Sequence, residues 1–126
     1  MLKEKRVFIS GANGVIGNAL VTMLYKQGAI IYAGDLKPRP TDWPADIIYR
    51  QGDLNFITKE ELDHFAPEYF FHLAATFERS TETYEFWQEN YRHNVHLSNY
   101  LMSLLKDSDH LKKVIFASSY LIYDPK

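Results

Sequence analysis

The apolar run Val7-Phe8-Ile9-Ser10 leads directly into Gly11-Ala12-Asn13-Gly14-Val15-Ile16-Gly17. A strand that ends in a glycine-spaced turn and opens a helix leaves few folds available, because each glycine has a separate reason to be there. Gly11 is expected to take the tight-turn backbone that a Cβ opposes. Gly14 lets the main chain approach a phosphate pair, whose charge then sits at the positive end of the helix. Gly17 lets that helix lie close against the sheet. The spacing is G-x-x-G-x-x-G, one residue wider in its first gap than the common G-x-G-x-x-G.

The residues around this turn separate a dinucleotide site from an ordinary strand-to-helix turn. A helical pattern follows in Val15, Ile16, Leu20, Met23 and Leu24, and Gly28 stops it. A second apolar run, Ala29-Ile30-Ile31-Tyr32-Ala33, ends at Asp35. That carboxylate falls close to the ~20 residues beyond the glycines at which an acidic side chain hydrogen-bonds an adenosine ribose. Strand, glycine turn, helix and acidic strand end stand in the required order.

Composition narrows the remaining classes. The 126 residues form one domain at most, and 46% hydrophobic content with 15% aromatic residues predicts a packed core. A net charge of −2, with both signs mixed along the chain, argues against a nucleic-acid binder built on a basic stripe. The absence of cysteine excludes disulfides, thiolate metal sites and a cysteine nucleophile. No leader-like segment or ~20-residue apolar run is present, so a soluble cytoplasmic protein without a membrane partner is expected.

Strands are predicted near Arg6–Ser10, Ala29–Gly34, Ile47–Gln51, Tyr69–Leu73 and Lys113–Ser118, and helices near Gly14–Gln27, Thr58–Phe65 and Glu82–Lys106. The strands are short apolar runs with little alternation, as suits parallel strands covered on both faces. Three prolines within Lys37–Pro44 make that stretch a loop rather than a crossover helix. The predicted fold is α/β, a doubly wound parallel sheet of about five strands in the order 3-2-1-4-5, with ligand at the carboxyl ends of its strands. On the long helix, Tyr84, Trp87, Tyr91, Val95, Ser98, Met102 and Leu105 form one apolar stripe, widened by Tyr100, Leu101 and Leu104. Core packing accounts for the stripe, and its extra width predicts contact with another helix.

With these residues in place, the chain resembles the extended short-chain dehydrogenase/reductase family of NAD-dependent epimerases and dehydratases from Val7 to about Tyr123. Ser10 through Gly17 resembles that family's T-G-x-x-G-x-x-G, and Asp35 its acidic residue after the second strand. Gly52-Asp53-Leu54 is similar to G-D-[LIV], Phe71-His72-Leu73-Ala74-Ala75 to H-L-A-A, and Asn94-Val95 to N-V. Ala117-Ser118-Ser119-Tyr120-Leu121-Ile122-Tyr123 is similar to S-S-x-x-x-Y. The resemblance implies a Rossmann-like domain that stops before the sixth strand and before the substrate lobe. It implies cofactor contacts from Gly11, Asn13, Gly14, Val15, Ile16, Gly17, Asp35, Asp53, Leu54, Leu73, Ala74, Ala75, Thr76, Asn94 and Ser118. Ser80 and Thr81 stand where family members contact cofactor or substrate.

Moving a hydride from a sugar carbon requires a base for the hydroxyl proton and a donor for the developing carbonyl oxygen. The resemblance assigns the donor to Ser119 and the base to a Tyr-x-x-x-Lys pair. No tyrosine among these residues has lysine four positions on. Two readings follow: the cofactor-binding portion of a nucleotide-sugar epimerase, dehydratase or reductase, catalytically incomplete as this chain, or a non-catalytic NAD(P)-binding or sensing module. Asp35 favours NAD over NADP, because a carboxylate repels a 2′-phosphate, while Lys37 and Arg39 keep NADP open.

Bland readings are retained for the histidines. His72 is expected to be a partly buried packing or hydrogen-bonding residue, and His93, His96 and Glu89 a solvated helix face rather than a metal site. Leu97-Ser98 replaces the family's small Gly-Thr, a change expected to alter helix packing more than chemistry, and Asp124 stands where the family has glycine. An open edge along Lys113–Ser118 and a partly covered long helix lead to an expected homo-oligomer.

Overall fold

The computed structural model describes residues 2–73 and 96–116. The elements run β1 (Arg6–Ser10), α1 (Val15–Lys26), β2 (Ile30–Asp35), β3 (Ile48–Gln51), a 3-10 turn (Leu54–Phe56), α2 (Lys59–Phe65), β4 (Tyr69–His72), α3 (Leu97–Leu105) and β5 (Lys113–Phe116). All five strands are parallel in the order β3-β2-β1-β4-β5, as predicted. The strand ends fall within a residue or so of expectation wherever they are described. The 3-10 turn over Leu54–Phe56 is not among the predicted elements.

Residues along each strand separate into two apolar layers. Val7, Ile9, Ile31 and Ala33 pack with Val21 and Leu24 of α1, whereas Phe8, Tyr32 and Phe70 pack with Leu62 and Phe65 of α2 and with α3. Both faces of the sheet are therefore covered, so apolar side chains occupy successive positions. Phe8 stacks on Phe70 at 4.9 Å and meets Tyr32 edge-on at 5.6 Å, filling the second layer at the centre of the sheet.

Local chemistry fixes the helix ends that aim the site. Gly28, at φ +89°, closes α1 with the paired bonds of a Schellman cap, Ala29 N–H to Leu24 O (3.1 Å) and Gly28 N–H to Tyr25 O (3.0 Å). Thr58 Oγ1 accepts from Glu61 N–H at 3.1 Å and starts α2 as an N-cap.

The described part of the long helix corrects the stripe. Leu97, Leu101 and Leu105 form the buried line, while Ser98 and Met102 are only half-buried. The inward face is turned by one residue from the expected one, because the sheet and the 3-10 turn receive a leucine every fourth position. Leu97, where the family pattern has a small residue, is itself fully in the core, so that departure is a matter of packing. Tyr84, Trp87, Tyr91 and Val95 lie outside the described residues. Among the described residues β5 has β4 on one side and no strand on the other.

Candidate functional site

The parallel register brings Ser10, Asp35, Gln51, His72 and Phe116 to one edge of the sheet, with Ser10 beside both Gly34 and His72. Between β1 and β4 the order of connection reverses, and the crevice at such a reversal is where open α/β sheets hold ligands. The glycine turn opens over this crevice.

The three glycines of the turn carry different constraints. Gly11 has φ +71°, a left-handed backbone that a Cβ disfavours. Gly17 is buried, and a Cβ there would overlap Gly11 O and stand 2.8 Å from the Ala12 backbone. The close approach is thus between α1 and the turn itself rather than the sheet at large. Gly14 differs from both. Its φ of −84° suits any residue, and a Cβ would meet only Gly11 O at 3.6 Å, ordinary contact. The protein's own packing does not demand glycine at this position.

Gly14 is also the N-cap of α1, and no side chain caps that end. No acidic residue lies in the first turn, so the helix end keeps its partial positive charge. Val15 and Ile16, counted by helical period among the apolar positions, are instead 92% and 66% exposed beside the turn.

Asp35 closes the crevice at the end of β2. Its Oδ2 accepts from Asn13 N–H at 2.8 Å and its Oδ1 from Lys37 N–H at 2.9 Å, so the carboxylate is held by main chain from two loops. Asp53 follows β3 and caps the 3-10 turn, accepting from Asn55 N–H at 2.9 Å and Asn55 Nδ2 at 3.0 Å. Asp53 is thus a turn residue in this structure. Leu54 is buried, and its methyl groups lie 2.9 and 3.1 Å from where a Gly34 Cβ would stand, so Gly34 lets the 3-10 turn close over β2.

At the end of β4 a line of polar groups crosses the apolar layer. Leu73 N–H donates to Ser10 Oγ at 3.0 Å, Ser10 Oγ and His72 Nδ1 are 2.6 Å apart, and His72 Nε2 and Ser98 Oγ are 2.8 Å apart. His72 is 6% exposed between the rings of Phe70 and Phe116, and burial pushes its pKa down to about 4. It is a neutral, hydrogen-bonded core residue, as expected. Ser98 thereby ties α3 to the sheet.

His96 is exposed, with Nδ1 2.6 Å from Asn55 Oδ1, and no group of potential metal ligands occurs among the described residues. His93, Glu89, Ala74, Ala75, Thr76, Ser80, Thr81, Asn94, Ser118, Ser119, Tyr123 and Asp124 lie outside the described residues. Arg39 departs from its expected part. Its guanidinium donates to Ile47 O (2.7 Å), Trp43 O (3.4 Å) and Pro44 O rather than standing free beside Asp35.

An open groove of about 890 Å³ lies elsewhere, at the amino-terminal ends of β2 and β3 against α2, lined in part by Arg6, Ile30, Tyr32, Ile48 and Phe65. Tyr32 Oη and Arg50 Nε (3.0 Å) both donate to Glu61 Oε2 across it and tie three elements together. It sits at the opposite edge of the sheet from the glycine turn.

Comparison with known proteins follows the same outline. The model of the NAD dependent epimerase/dehydratase family matches residues 7–126. MoeE5, solved in complex with UDP-glucose and NAD, is 30% identical with a TM-score of 0.80, over 96% of this chain and 38% of its own. UDP-glucose 4-epimerase of Thermotoga maritima, solved with UDP-glucose, is 21% identical with a TM-score of 0.79, over 90% of this chain and 38% of its own. A short chain dehydrogenase from Leptospira borgpetersenii with bound NAD+ is 19% identical with a TM-score of 0.77, over 99% of this chain and 55% of its own. These last two likenesses are of fold. The chain spans about two-fifths of the length of MoeE5. No curated protein matches it.

Proposed function

The chain belongs to the NAD dependent epimerase/dehydratase family, and from that premise we propose that it binds NAD as the cofactor-holding part of a protein acting on nucleotide-activated sugars. The observation that carries this reading is Gly14. Neither its φ of −84° nor the 3.6 Å clearance to Gly11 O requires glycine, whereas close approach of a diphosphate to the main chain does. The helix end it caps has no acidic or capping side chain to compete with an anion.

In this reading the turn from Gly11 to Gly17, with Asn13, Val15 and Ile16, holds the pyrophosphate. Asp35 takes the adenosine ribose and Asp53-Leu54 edges the adenine. Leu73 leads the β4 end toward the nicotinamide ribose, together with Ala74, Ala75, Thr76, Asn94 and Ser118. The cofactor supplies a hydride acceptor when bound. Ser119 hydrogen-bonds the substrate oxygen, and the hydroxyl proton needs a base, which no Tyr-x-x-x-Lys pair in the sequence supplies. MoeE5, solved with UDP-glucose and with UDP-glucuronic acid, supports a UDP-sugar as the substrate class.

Calorimetric titration of the chain with NAD is expected to show one site of micromolar to low-millimolar affinity. Incubation of the chain and NAD with UDP-glucose is expected to give no product. Absence of NAD binding at millimolar concentration refutes the proposal. Binding with UDP-glucose turnover that survives Ser119→Ala refutes the part given to Ser119.

A further inference from the structure

The loop after Asp35 is clamped from three sides. Tyr49 Oη, reaching from β3, lies 2.5 Å from Lys37 O and 3.4 Å from Pro38 O. Asn13 Nδ2, reaching from the glycine turn, donates to the same Pro38 O at 2.9 Å. From within the loop, the Arg39 guanidinium gathers the carbonyls of Trp43, Pro44 and Ile47. Trp43 is 9% exposed and meets the Tyr49 ring edge-on at 5.7 Å, so the clamp has an apolar floor. The loop, β3 and the glycine turn are one preassembled wall beside Asp35.

Resting on the NAD reading above, we propose that Tyr49 and Arg39 are specificity-positioning residues, which fix this wall so that the site selects an unphosphorylated adenosine 2′-hydroxyl. A 2′-phosphate is held best by a guanidinium fork turned toward the ribose, and it needs space beyond the carboxylate. Arg39 has its fork turned into the loop. Lys37 is exposed, and its ammonium is a hydrated point charge on a flexible stem rather than a fork. Tyr49 holds Lys37 O and Pro38 O, so the segment that follows Asp35 is fixed in place. Selectivity then comes from a rigid loop as well as from the carboxylate at its base.

The test uses Tyr49→Phe, which keeps the ring on Trp43 and removes the hydroxyl, and Arg39→Lys, which keeps the charge and removes the fork. Dissociation constants for NAD and NADP are measured by calorimetry, and hydrogen exchange of amides 36–46 is followed in the same proteins without cofactor. Both variants are expected to remain folded by circular dichroism and to exchange faster in this segment. The NAD-over-NADP ratio should narrow about five- to tenfold, through weaker NAD in Tyr49→Phe and tighter NADP in Arg39→Lys. Loop exchange matching the parent chain in both variants overturns the clamp. NAD binding by the parent chain with a ratio unchanged within twofold in both variants overturns the specificity role alone. A parent chain that binds neither cofactor overturns the NAD reading and this role with it, whereas a parent chain that prefers NADP overturns only the role.

Discussion

Gly14→Ser and Gly17→Ala are expected to fail in opposite ways, although the two glycines stand three residues apart in one motif. A methyl group at Gly17 overlaps Gly11 O and comes within 2.8 Å of backbone atoms of Ala12, and backbone cannot turn aside as a side chain does. Overpacking of that kind costs about 3 kcal/mol, so the melting temperature of Gly17→Ala should fall by on the order of 10 °C. At Gly14 the backbone is extended and a Cβ has room. Serine is also a better N-cap than glycine or at least its equal, because its hydroxyl accepts from the helix's free amides. Gly14→Ser should therefore melt at or slightly above the parent temperature. Its NAD affinity should nevertheless fall at least tenfold, equivalent to about 1.4 kcal/mol, since the side chain both screens the main chain and satisfies the amides that face the pyrophosphate. Thermal melts and calorimetry on the two variants separate the roles. Equal destabilisation by both, or undiminished NAD affinity in Gly14→Ser, contradicts the division.

That contrast shows what was legible in the amino-acid sequence. The turn, the strand order and the acidic residue at the end of β2 are local or periodic features. Apolar runs mark strands buried on both faces, and Gly28 marks a helix stop wherever it falls. Those readings agree with the structure. The rotation of α3 was not legible, because Ser98, Met102 and Leu105 satisfy a helical period as well as Leu97, Leu101 and Leu105 do. Only the position of the sheet and the 3-10 turn decides which line is buried.

The wall beside Asp35 was also missed, for a related reason. In sequence, Lys37 and Arg39 read as two cations beside a phosphate-sized question. In three dimensions, Arg39 faces carbonyls that come from up to eight residues further along. Tyr49 reaches back to Lys37 O twelve residues earlier. Neither contact has a spacing rule, since the proline-rich loop between them has no period from which to project a side chain. The single available signal was Trp43, a large aromatic residue in an otherwise polar loop, which has to be covered by something.

The polar line through His72 gives the other large expected effect. In the unfolded chain a histidine titrates near 6.5, whereas burial between Phe70 and Phe116 lowers His72 to about 4. Between these values the unfolded chain takes up a proton that the folded chain refuses, so stability falls as pH falls. The contribution is fully present above pH 6.5, is lost progressively below it, and levels off under pH 4. The difference of about 2.5 pKa units sets the loss at about 3 kcal/mol. His72→Gln keeps an amide near Ser98 but cannot reproduce both contacts, to Ser10 Oγ at 2.6 Å and Ser98 Oγ at 2.8 Å. Its expected cost at pH 7 is about 1–2 kcal/mol. Because glutamine does not titrate, urea-unfolding curves for the two proteins should converge as pH drops from 7 and should cross before pH 4.5. Carboxylates that titrate in the same range do so in both proteins and cancel in the difference. A gap between parent and variant that stays constant across this window would mean that His72 is protonated as readily folded as unfolded, and the hydrogen-bonded line from Ser10 to Ser98 would then have to tolerate an imidazolium.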